Sequence, residues 1–294
     1  MKKILYALLL VALAITSVNA KNAQPYYTNN NGIEMSEENY NNLKGLGFTD
    51  TQIAKMDNKT FAKKKDINAN IVSQKVNHYV KVSYLQNGLQ KERYEVVTEN
   101  EYNGRLVNPG ASLQRVSGNY YNGMNATDDL AVVTTISNVN NTFMQYRVDV
   151  YNYTIPTKRS FDIYGIGIES GKVQVASAVE CLQSWDYSNG SSDSNDGCYP
   201  KSESTGGSAM FELPSGSLSS LETYISFWVA KQPNVGTIHG LEAIGDYAHA
   251  YNTVNSSVYN YYTVDVGGIW VNSPYAGSYD QYFTPSPATF SGTW

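Results

Sequence analysis

The chain has 294 residues and a formal net charge of −5. This mild acidity, without an extended Lys or Arg cluster, argues against nucleic acid and against an anionic membrane surface as partners, because both require a concentrated positive patch. Charged residues make up only 16% of the chain, against roughly 25% in ordinary soluble domains, while tyrosine occurs 25 times. The composition favours β-sheet over helix, and the tyrosines would suit a surface that stacks on sugars.

The first 20 residues have the pattern of a secretory signal peptide. Lys2 and Lys3 form a short basic start, Ile4–Ile15 is apolar, and Val18-Asn19-Ala20 places small residues where a signal peptidase reads. The apolar run is shorter than the ~20 residues that cross a bilayer, so we favour cleavage after Ala20 over an uncleaved anchor. The sequence therefore predicts an extracellular protein with no transmembrane segment after cleavage.

A small helical unit is predicted to follow. Residues 21–33 are polar and rich in Asn, which is typical of a flexible leader, and residues 34–66 contain two helix start signals. Ser36 can cap the first helix, and Thr49 to Gln52 form a capping box at the start of the second. A unit of this size buries little surface, so we expect it to pack on the rest of the chain or on a partner.

Residues 70–294 are predicted to form one β domain, because the period of the sequence changes to alternation. Val76–Tyr84 and Leu89–Thr98 read as two strands, and the intervening Asn87-Gly88 pair is typical of a type I′ hairpin turn. Gly104–Asp129 reads as a long surface loop.

Further strands are predicted along the rest of the chain. They cover Leu130–Ser137, Phe143–Thr154, Phe161–Ile168, Lys172–Trp185, Met210–Leu213, Leu221–Lys231, Thr237–Thr253 and Val258–Val271. Short turns between successive strands indicate antiparallel pairing. We therefore expect a mainly β fold, an antiparallel two-sheet sandwich of the jelly-roll type, with an open barrel as the alternative. The tail from Ser273 has no clear period, and we find no second hydrophobic core.

Cys181 and Cys198 are the only two cysteines, 17 residues apart in the sequence. In an exported chain such a pair is expected to form a disulfide, since the compartment is oxidising. Closing this loop would stabilise the fold by about 3 kcal/mol in the chain-entropy model. The spacing does not match the Cys-x-x-Cys pattern of a redox-active dithiol.

Two segments contain candidate metal ligands. On a helix, His239, Glu242, Asp246 and His249 would share one face and could bind a metal, whereas a strand would separate them. The glycines and the Tyr-rich continuation of this segment favour the strand.

The second segment is the oxygen-rich loop over residues 186–197, whose Asp193 and Asp196 are weak candidate ligands for Ca²⁺. Its match to an EF-hand loop lacks the first carboxylate and the flanking helices, so a solvated loop closed by the disulfide is the alternative that we favour. No other cofactor is indicated.

No catalytic signature is present: there is no Gly-x-Ser-x-Gly elbow, His-Glu-x-x-His motif, phosphate-binding glycine loop or catalytic-cysteine context. Our first hypothesis is a non-catalytic, adhesion-type β protein that binds a cell-surface glycan or protein. The second is a secreted hydrolase of the glycosidase kind, which would need only a pair of carboxylates. A pore-forming toxin is the third, although no strand pair shows the outward apolar band that it requires.

Several short motifs resemble uncharacterised secreted β-rich proteins of low-GC Gram-positive bacteria. They lie at residues 26–28, 32–36, 46–49, 159–166 and 245–250. The resemblance implies an exported bacterial protein with a helical N-terminal unit and a β domain, and it implies no activity or site residues.

Overall fold

The computed structural model describes residues 25–86, 89–97, 125–282 and 286–294. They form two compact units, one within residues 1–68 and one within residues 69–294. The predicted signal peptide, the Asn87-Gly88 turn and most of the predicted loop over residues 104–129 lie outside the described residues.

The first unit contains three short helices after a pair of two-residue strands. The elements are β1 (Tyr27–Thr28), β2 (Glu34–Met35), α1 (Glu37–Gly45), α2 (Asp50–Lys55) and α3 (Asn58–Lys64). Both predicted helix starts are confirmed: the Ser36 hydroxyl accepts the Asn39 N–H, and Thr49 and Gln52 form the complete capping box. The third helix was not predicted from the sequence, although Asp57 caps it in the same way.

Asn29 joins the segment before α1 to the turn after α2. Its buried side-chain amide donates to the carbonyls of Ile53, at 3.1 Å, and Met56, at 2.8 Å. Its Oδ1 accepts the backbone N–H of Asn31 and of Ile33. Four hydrogen bonds therefore tie down part of the segment for which the sequence predicted a flexible leader.

The second unit is built from antiparallel strands. In chain order they are β3 (Asn70–Gln86), β4 (Leu89–Val97), β5 (Asn125–Asn138), β6 (Phe143–Asn152), β7 (Phe161–Ile168), β8 (Val173–Val175), β9 (Glu180–Tyr187), β10 (Ser192–Asn195), β11 (Tyr199–Glu203), β12 (Gly206–Glu212), β13 (Leu218–Lys231), β14 (His239–Ala250), β15 (Tyr262–Asp265), β16 (Gly268–Val271), β17 (Tyr279–Tyr282) and β18 (Ala288–Thr293).

Two sheets form the predicted sandwich. The larger has the strand order β10-β9-β13-β6-β5-β3-β4, with β8 also pairing with β13. The smaller has the order β11-β12-β7-β14-β17, with β18 also pairing with β14. The chain passes repeatedly from one sheet to the other, and one hydrophobic core lies between the two sheets.

That core is filled by alternate residues of both sheets. From β6 and β7 it receives Met144, Tyr146, Val148, Val150, Tyr164, Ile166 and Ile168, all at most 1% exposed. The period of two in the sequence is thus the period with which side chains enter this core, although the residues between them are buried as well.

The two sheets approach each other closely at Gly245 of β14. A Cβ atom there would lie 2.3 Å from the Thr134 hydroxyl of β5 and 2.7 Å from Val148 of β6. The Gly245 N–H donates to that hydroxyl at 3.1 Å. Glycine is required here because any side chain would push the two sheets apart.

A second buried cluster covers the outer face of the smaller sheet, and our expectation of a single core was wrong. A 3-10 helix over Ser256–Tyr261 and the β15–β16 hairpin cover this face. They bury Val258, Tyr262 and Ile269 against Ile163 of β7 and Ala248 of β14. We call residues 254–278 the cap layer.

Several predicted strands differ from the observed ones. Val258–Val271 is not one strand but the 3-10 helix and the hairpin, because Gly267 and Gly268 allow a turn in which Gly268 has φ +112°. Lys172–Trp185 is interrupted between β8 and β9. The predicted loop ends earlier than expected, since β5 already begins at Asn125. The tail supplies β17 and β18, of which β17 is too short to give a period.

The face of β6 that points away from the core between the sheets carries a buried ion pair. Arg147 is 0% exposed and Asp149 is 1% exposed. Arg147 donates from Nε and Nη2 to the two oxygens of Asp149, at 2.8 and 2.6 Å, and its guanidinium lies 4.0 Å from the ring centre of Tyr224. Charge in the sequence pattern was therefore a poor guide to exposure on this strand.

The predicted disulfide between Cys181 and Cys198 is present. Cys181 lies in β9 of the larger sheet, and Cys198 immediately precedes β11 of the smaller one. The bond therefore fixes the crossover between the sheets and encloses the β9–β10 hairpin.

Candidate functional site

The predicted Ca²⁺ ligands lie on the edge of the larger sheet. Asp193 is an exposed residue of β10, and its Oδ1 accepts the N–H of the next residue, Ser194. Asp196 is exposed in the loop that follows. Among the described residues no group of three His, Cys, Asp or Glu side chains is placed to hold a metal ion.

The segment over residues 237–253 contains the strand β14 (His239–Ala250), as we favoured, so the helical arrangement of metal ligands does not form. His239 and His249 lie at opposite ends of β14, roughly 30 Å apart at 3.3 Å per residue. His239 is exposed and its Nδ1 is 3.3 Å from the Thr293 hydroxyl. A bulge at Gly240, with φ +76°, shifts the register between the two histidines. Glu242 is exposed, and Asp246 faces the cap layer.

His249 is instead half of a buried pair with Asp162. In the register of β7 and β14, Ile163 is opposite Ala248, which places Asp162 beside His249 on the inner face. His249 Nδ1 lies 3.0 Å from both oxygens of Asp162. Asp162 is 0% exposed and His249 is 8% exposed. Because side chains alternate along β7 and β14, both residues point between the two sheets, at the end of the core.

Two further donors complete the surroundings of Asp162. The Tyr247 hydroxyl donates to Oδ2 at 2.5 Å, and the Ala250 N–H donates to Oδ1 at 3.0 Å. Burial and the nearby charge of Asp162 raise the pKa of Tyr247 well above that of a free tyrosine, so the hydroxyl keeps its proton. Asp162 thus acts as an acceptor that holds the Nδ1–H tautomer of His249.

A cavity of about 110 Å³ adjoins this pair. We call it the end cavity. It is lined by Lys81, Asn152, Thr154, Ile155, Pro156, Thr157, Tyr247, His249 and Tyr282. Asn152 is 6% exposed, and its buried Nδ2 has no hydrogen-bond partner. The nine lining residues include no carboxylate, so they do not supply the acid pair that a glycosidase uses.

A second candidate site is a group of exposed and half-buried aromatic side chains on and beside the cap layer. We call it the aromatic face. It consists of Tyr199, Tyr251, Tyr259, Tyr261, Trp270 and Tyr275. The exposed fractions reach 45% for Trp270 and 44% for Tyr251, which is high for such large apolar side chains.

Several rings of the aromatic face are held in place by contacts with the rest of the protein. The Tyr259 hydroxyl donates to the Pro200 carbonyl at 2.9 Å, and the Tyr251 hydroxyl donates to the Gly277 carbonyl. The Tyr261 and Tyr275 rings are in edge contact, with centroids 5.4 Å apart. Such rings lose little conformational entropy when a ligand binds.

Sequence reasoning missed Asp162 and the end cavity. The signal for Asp162 was present, because it alternates in phase with Tyr164 and Ile166, which are core residues. An acidic residue that shares the core-facing side of a strand is buried, so its carboxylate needs hydrogen-bond donors from inside the protein. The cavity had no such signal, since β3, β6, β14 and β17 meet there only in the folded chain.

No helix among the described residues is long and apolar enough to cross a bilayer.

No protein-family model matches the chain, and no curated protein matches it in sequence. Among solved structures, the pilus backbone RrgB of Streptococcus pneumoniae is 6% identical, with a TM-score of 0.29 over 38% of this chain and 42% of that one. The collagen-binding domain of the Erysipelothrix rhusiopathiae surface protein RspB is 7% identical, with a TM-score of 0.28 over 56% and 61%. The C-terminal domain of the Streptococcus agalactiae AgI/II polypeptide BspA is 6% identical, with a TM-score of 0.31 over 76% and 82%. This chain spans less than two thirds of the first two, and its likeness to all three is coarse.

Proposed function

We propose that the chain is an exported, non-catalytic β protein of the adhesion type, which binds a cell-surface glycan through the aromatic face. The observation that carries the proposal is that exposed rings occur on and beside the cap layer, where the Tyr261 and Tyr275 rings are in edge contact and the Tyr251 and Tyr259 hydroxyls donate to backbone carbonyls. A pyranose presents a C–H face that stacks on Tyr and Trp rings, while its hydroxyls need neutral polar partners. Both are present, because Asn255 and Ser257 hydrogen-bond the Tyr275 hydroxyl at the rim of this face.

The charge of the aromatic face also favours a neutral ligand. Lys201 lies beneath the rings of Tyr259 and Tyr262, and its ammonium pairs with Glu203 at 2.9 Å. Asp265 accepts the indole N–H of Trp270 at 3.0 Å. The charges near the rings are thus engaged with the protein itself, and stacking supplies the binding energy.

A glycan array and a pull-down from cell-surface fractions test the proposal with the secreted protein. We expect Tyr261→Ala and Trp270→Ala each to weaken binding about tenfold or more, since central aromatic side chains dominate such interfaces. Tyr26→Ala is the control, because Tyr26 is 58% exposed but belongs to the first unit. Circular dichroism establishes that each variant is folded.

Two results would contradict the proposal: no ligand in either assay, or unchanged binding by the Tyr261→Ala and Trp270→Ala double variant. The pull-down could instead capture a protein that the double variant fails to bind. In that case the aromatic face would still be the binding surface, but its ligand would be that protein and not a glycan.

Export rests on the signal-peptide pattern of residues 1–20. N-terminal sequencing of the protein recovered from culture medium is expected to begin at Lys21. A mature protein that retains residues 1–20 would contradict cleavage.

A further inference from the structure

We propose that a group of tyrosines in the first unit binds an arginine-rich segment of a partner protein. We call this group, Tyr26, Tyr27 and Tyr40, the tyrosine cluster. It belongs to the first unit, whereas the aromatic face belongs to the second. This proposal and the proposed glycan site can therefore fail independently.

The rings of the tyrosine cluster lie against one another. The Tyr40 ring is in edge contact with the Tyr26 ring, with centroids 5.5 Å apart, and its centroid is 5.3 Å from that of the Tyr27 ring. Tyr26 is 58% exposed, and the other two residues are half-buried. The cluster, and above all Tyr26, is therefore accessible to a partner.

The central ring of the cluster, that of Tyr40, is held in place through its hydroxyl. The hydroxyl donates to Oδ1 of Asp50 at 2.6 Å, and Lys44 donates to the same oxygen at 2.8 Å. The hydrogen bond to Asp50, together with burial, raises the pKa of Tyr40 to about 12, so the ring stays uncharged at neutral pH. A ring that is positioned before a ligand arrives lowers the entropy that binding costs.

Two carboxylates without ion-pair partners adjoin the tyrosine cluster. Glu37 lies one helical turn before Tyr40 on α1, and side chains three positions apart on a helix are neighbours. Glu34 is opposite Thr28 in the β1–β2 pair, two residues along the strand from Tyr26. Both glutamates are exposed, and within the described ranges of the chain neither forms an ion pair. Their charges are therefore available to a cationic ligand.

This combination of rings and available carboxylates favours arginine over a sugar. At the aromatic face the nearby charges are engaged within the protein, as in the pair of Lys201 with Glu203, which suits a neutral ligand. A guanidinium can stack on a tyrosine ring and also donate two hydrogen bonds to a carboxylate. A lysine ammonium is a compact, strongly hydrated charge that cannot stack in this way. The charge complementarity therefore indicates a partner segment rich in arginine.

The test measures the binding of fluorescently labelled hexa-arginine, hexalysine and hexacitrulline peptides to the purified secreted protein by fluorescence anisotropy. Citrulline has the shape of arginine without its charge. We expect hexa-arginine to bind most tightly, hexalysine more weakly and hexacitrulline not at all, and added salt to weaken the binding of both charged peptides. Tyr26→Ala should weaken hexa-arginine binding about two- to fivefold by removing a cation–π contact. Replacing Glu34 and Glu37 together with Gln should weaken it about threefold or more.

Three matched variants serve as controls and should bind hexa-arginine as the native protein does. Tyr26→Phe keeps the ring, Tyr261→Ala removes a ring of the aromatic face, and Glu212→Gln removes an exposed carboxylate of the second unit. Circular dichroism of each variant separates loss of binding from loss of fold.

Several results would overturn the proposal. Hexa-arginine could bind no more tightly than hexacitrulline, which would exclude a role for charge, or no more tightly than hexalysine, which would exclude stacking. Unchanged binding by Tyr26→Ala would exclude the tyrosine cluster, and equal losses in Tyr26→Ala and Tyr261→Ala would show that the peptide does not distinguish the two surfaces.

Discussion

Asp246 should make the stability of the protein depend on pH in the direction opposite to that of an ordinary salt-bridged carboxylate. It is 1% exposed, and it points from β14 towards the cap layer. Its oxygens accept the N–H of Tyr247 and of Ile269, each at 2.8 Å. Burial raises its pKa from 3.8 to about 7, although the two backbone donors act to lower it.

The sign follows from proton binding. Between pH values of about 4 and 7 the folded state holds a proton on Asp246 that the unfolded state has lost, so the free energy of unfolding falls as pH rises. The slope approaches about 1.4 kcal/mol per pH unit, and the total approaches about 4 kcal/mol. The stabilisation that comes from the proton on Asp246 is fully present below the pKa of the unfolded state. It is lost as the pH rises through the pKa of Asp246 in the folded state.

Urea denaturation of the native protein and of Asp246→Asn, at intervals from pH 4 to pH 8, measures this contribution. The amide does not titrate, so the difference between the two free energies of unfolding should change with the slope given above. The absolute stability of the variant also reflects the loss of one acceptor for the backbone donors. The slope of the difference is independent of that loss.

If the Asp246→Asn curve runs parallel to that of the native protein, Asp246 binds no more protons in the folded state than in the unfolded state over this range, and the argument from burial is refuted.

Three further substitutions test the packing of the second unit, each by urea denaturation. Arg147→Met should lower the free energy of unfolding by about 3–5 kcal/mol, because it removes the guanidinium that pairs with the buried Asp149 carboxylate. Adding Asp149→Leu should recover most of the loss, and an unchanged midpoint in the single variant would contradict the burial of the pair. Replacing Cys181 and Cys198 with Ser should lower the free energy of unfolding by about 3 kcal/mol. A reductant should lower the urea midpoint of the native protein but not that of this variant. Gly245→Ala should cost about 1–3 kcal/mol or more by forcing the sheets apart, whereas a neutral result would show that they can separate locally without cost.

The sequence was most informative where one local pattern determines one local structure. The Thr49 capping box, the disulfide and the alternating strands β6 and β7 are all visible in it, because each depends on spacing within a short segment. The cap layer was missed for a physical reason. Its hydrophobic residues alternate like those of a strand, and only the turn at Gly267 and Gly268 distinguishes a hairpin from one continuous strand.

The candidate sites were less predictable because they depend on contacts that are distant in sequence. Asp162 and His249 meet only through the register of β7 with β14, and Lys81 and Asn152 reach the end cavity from strands separated by β5 in the sheet. The sequence did predict an aromatic surface from its tyrosine content. It did not predict which tyrosines are exposed, since Tyr164 and Tyr247 are buried while Tyr251 and Tyr261 are not.

The strand β10 protects one edge of the larger sheet against aggregation. It is four residues long, every one of them exposed, with the sequence Ser-Asp-Ser-Asn. A strand from another molecule that paired with it would gain no apolar contact and would bring its side chains against Asp193. The disulfide encloses this polar hairpin, so the edge that β10 forms resists edge-to-edge pairing with another copy of the chain.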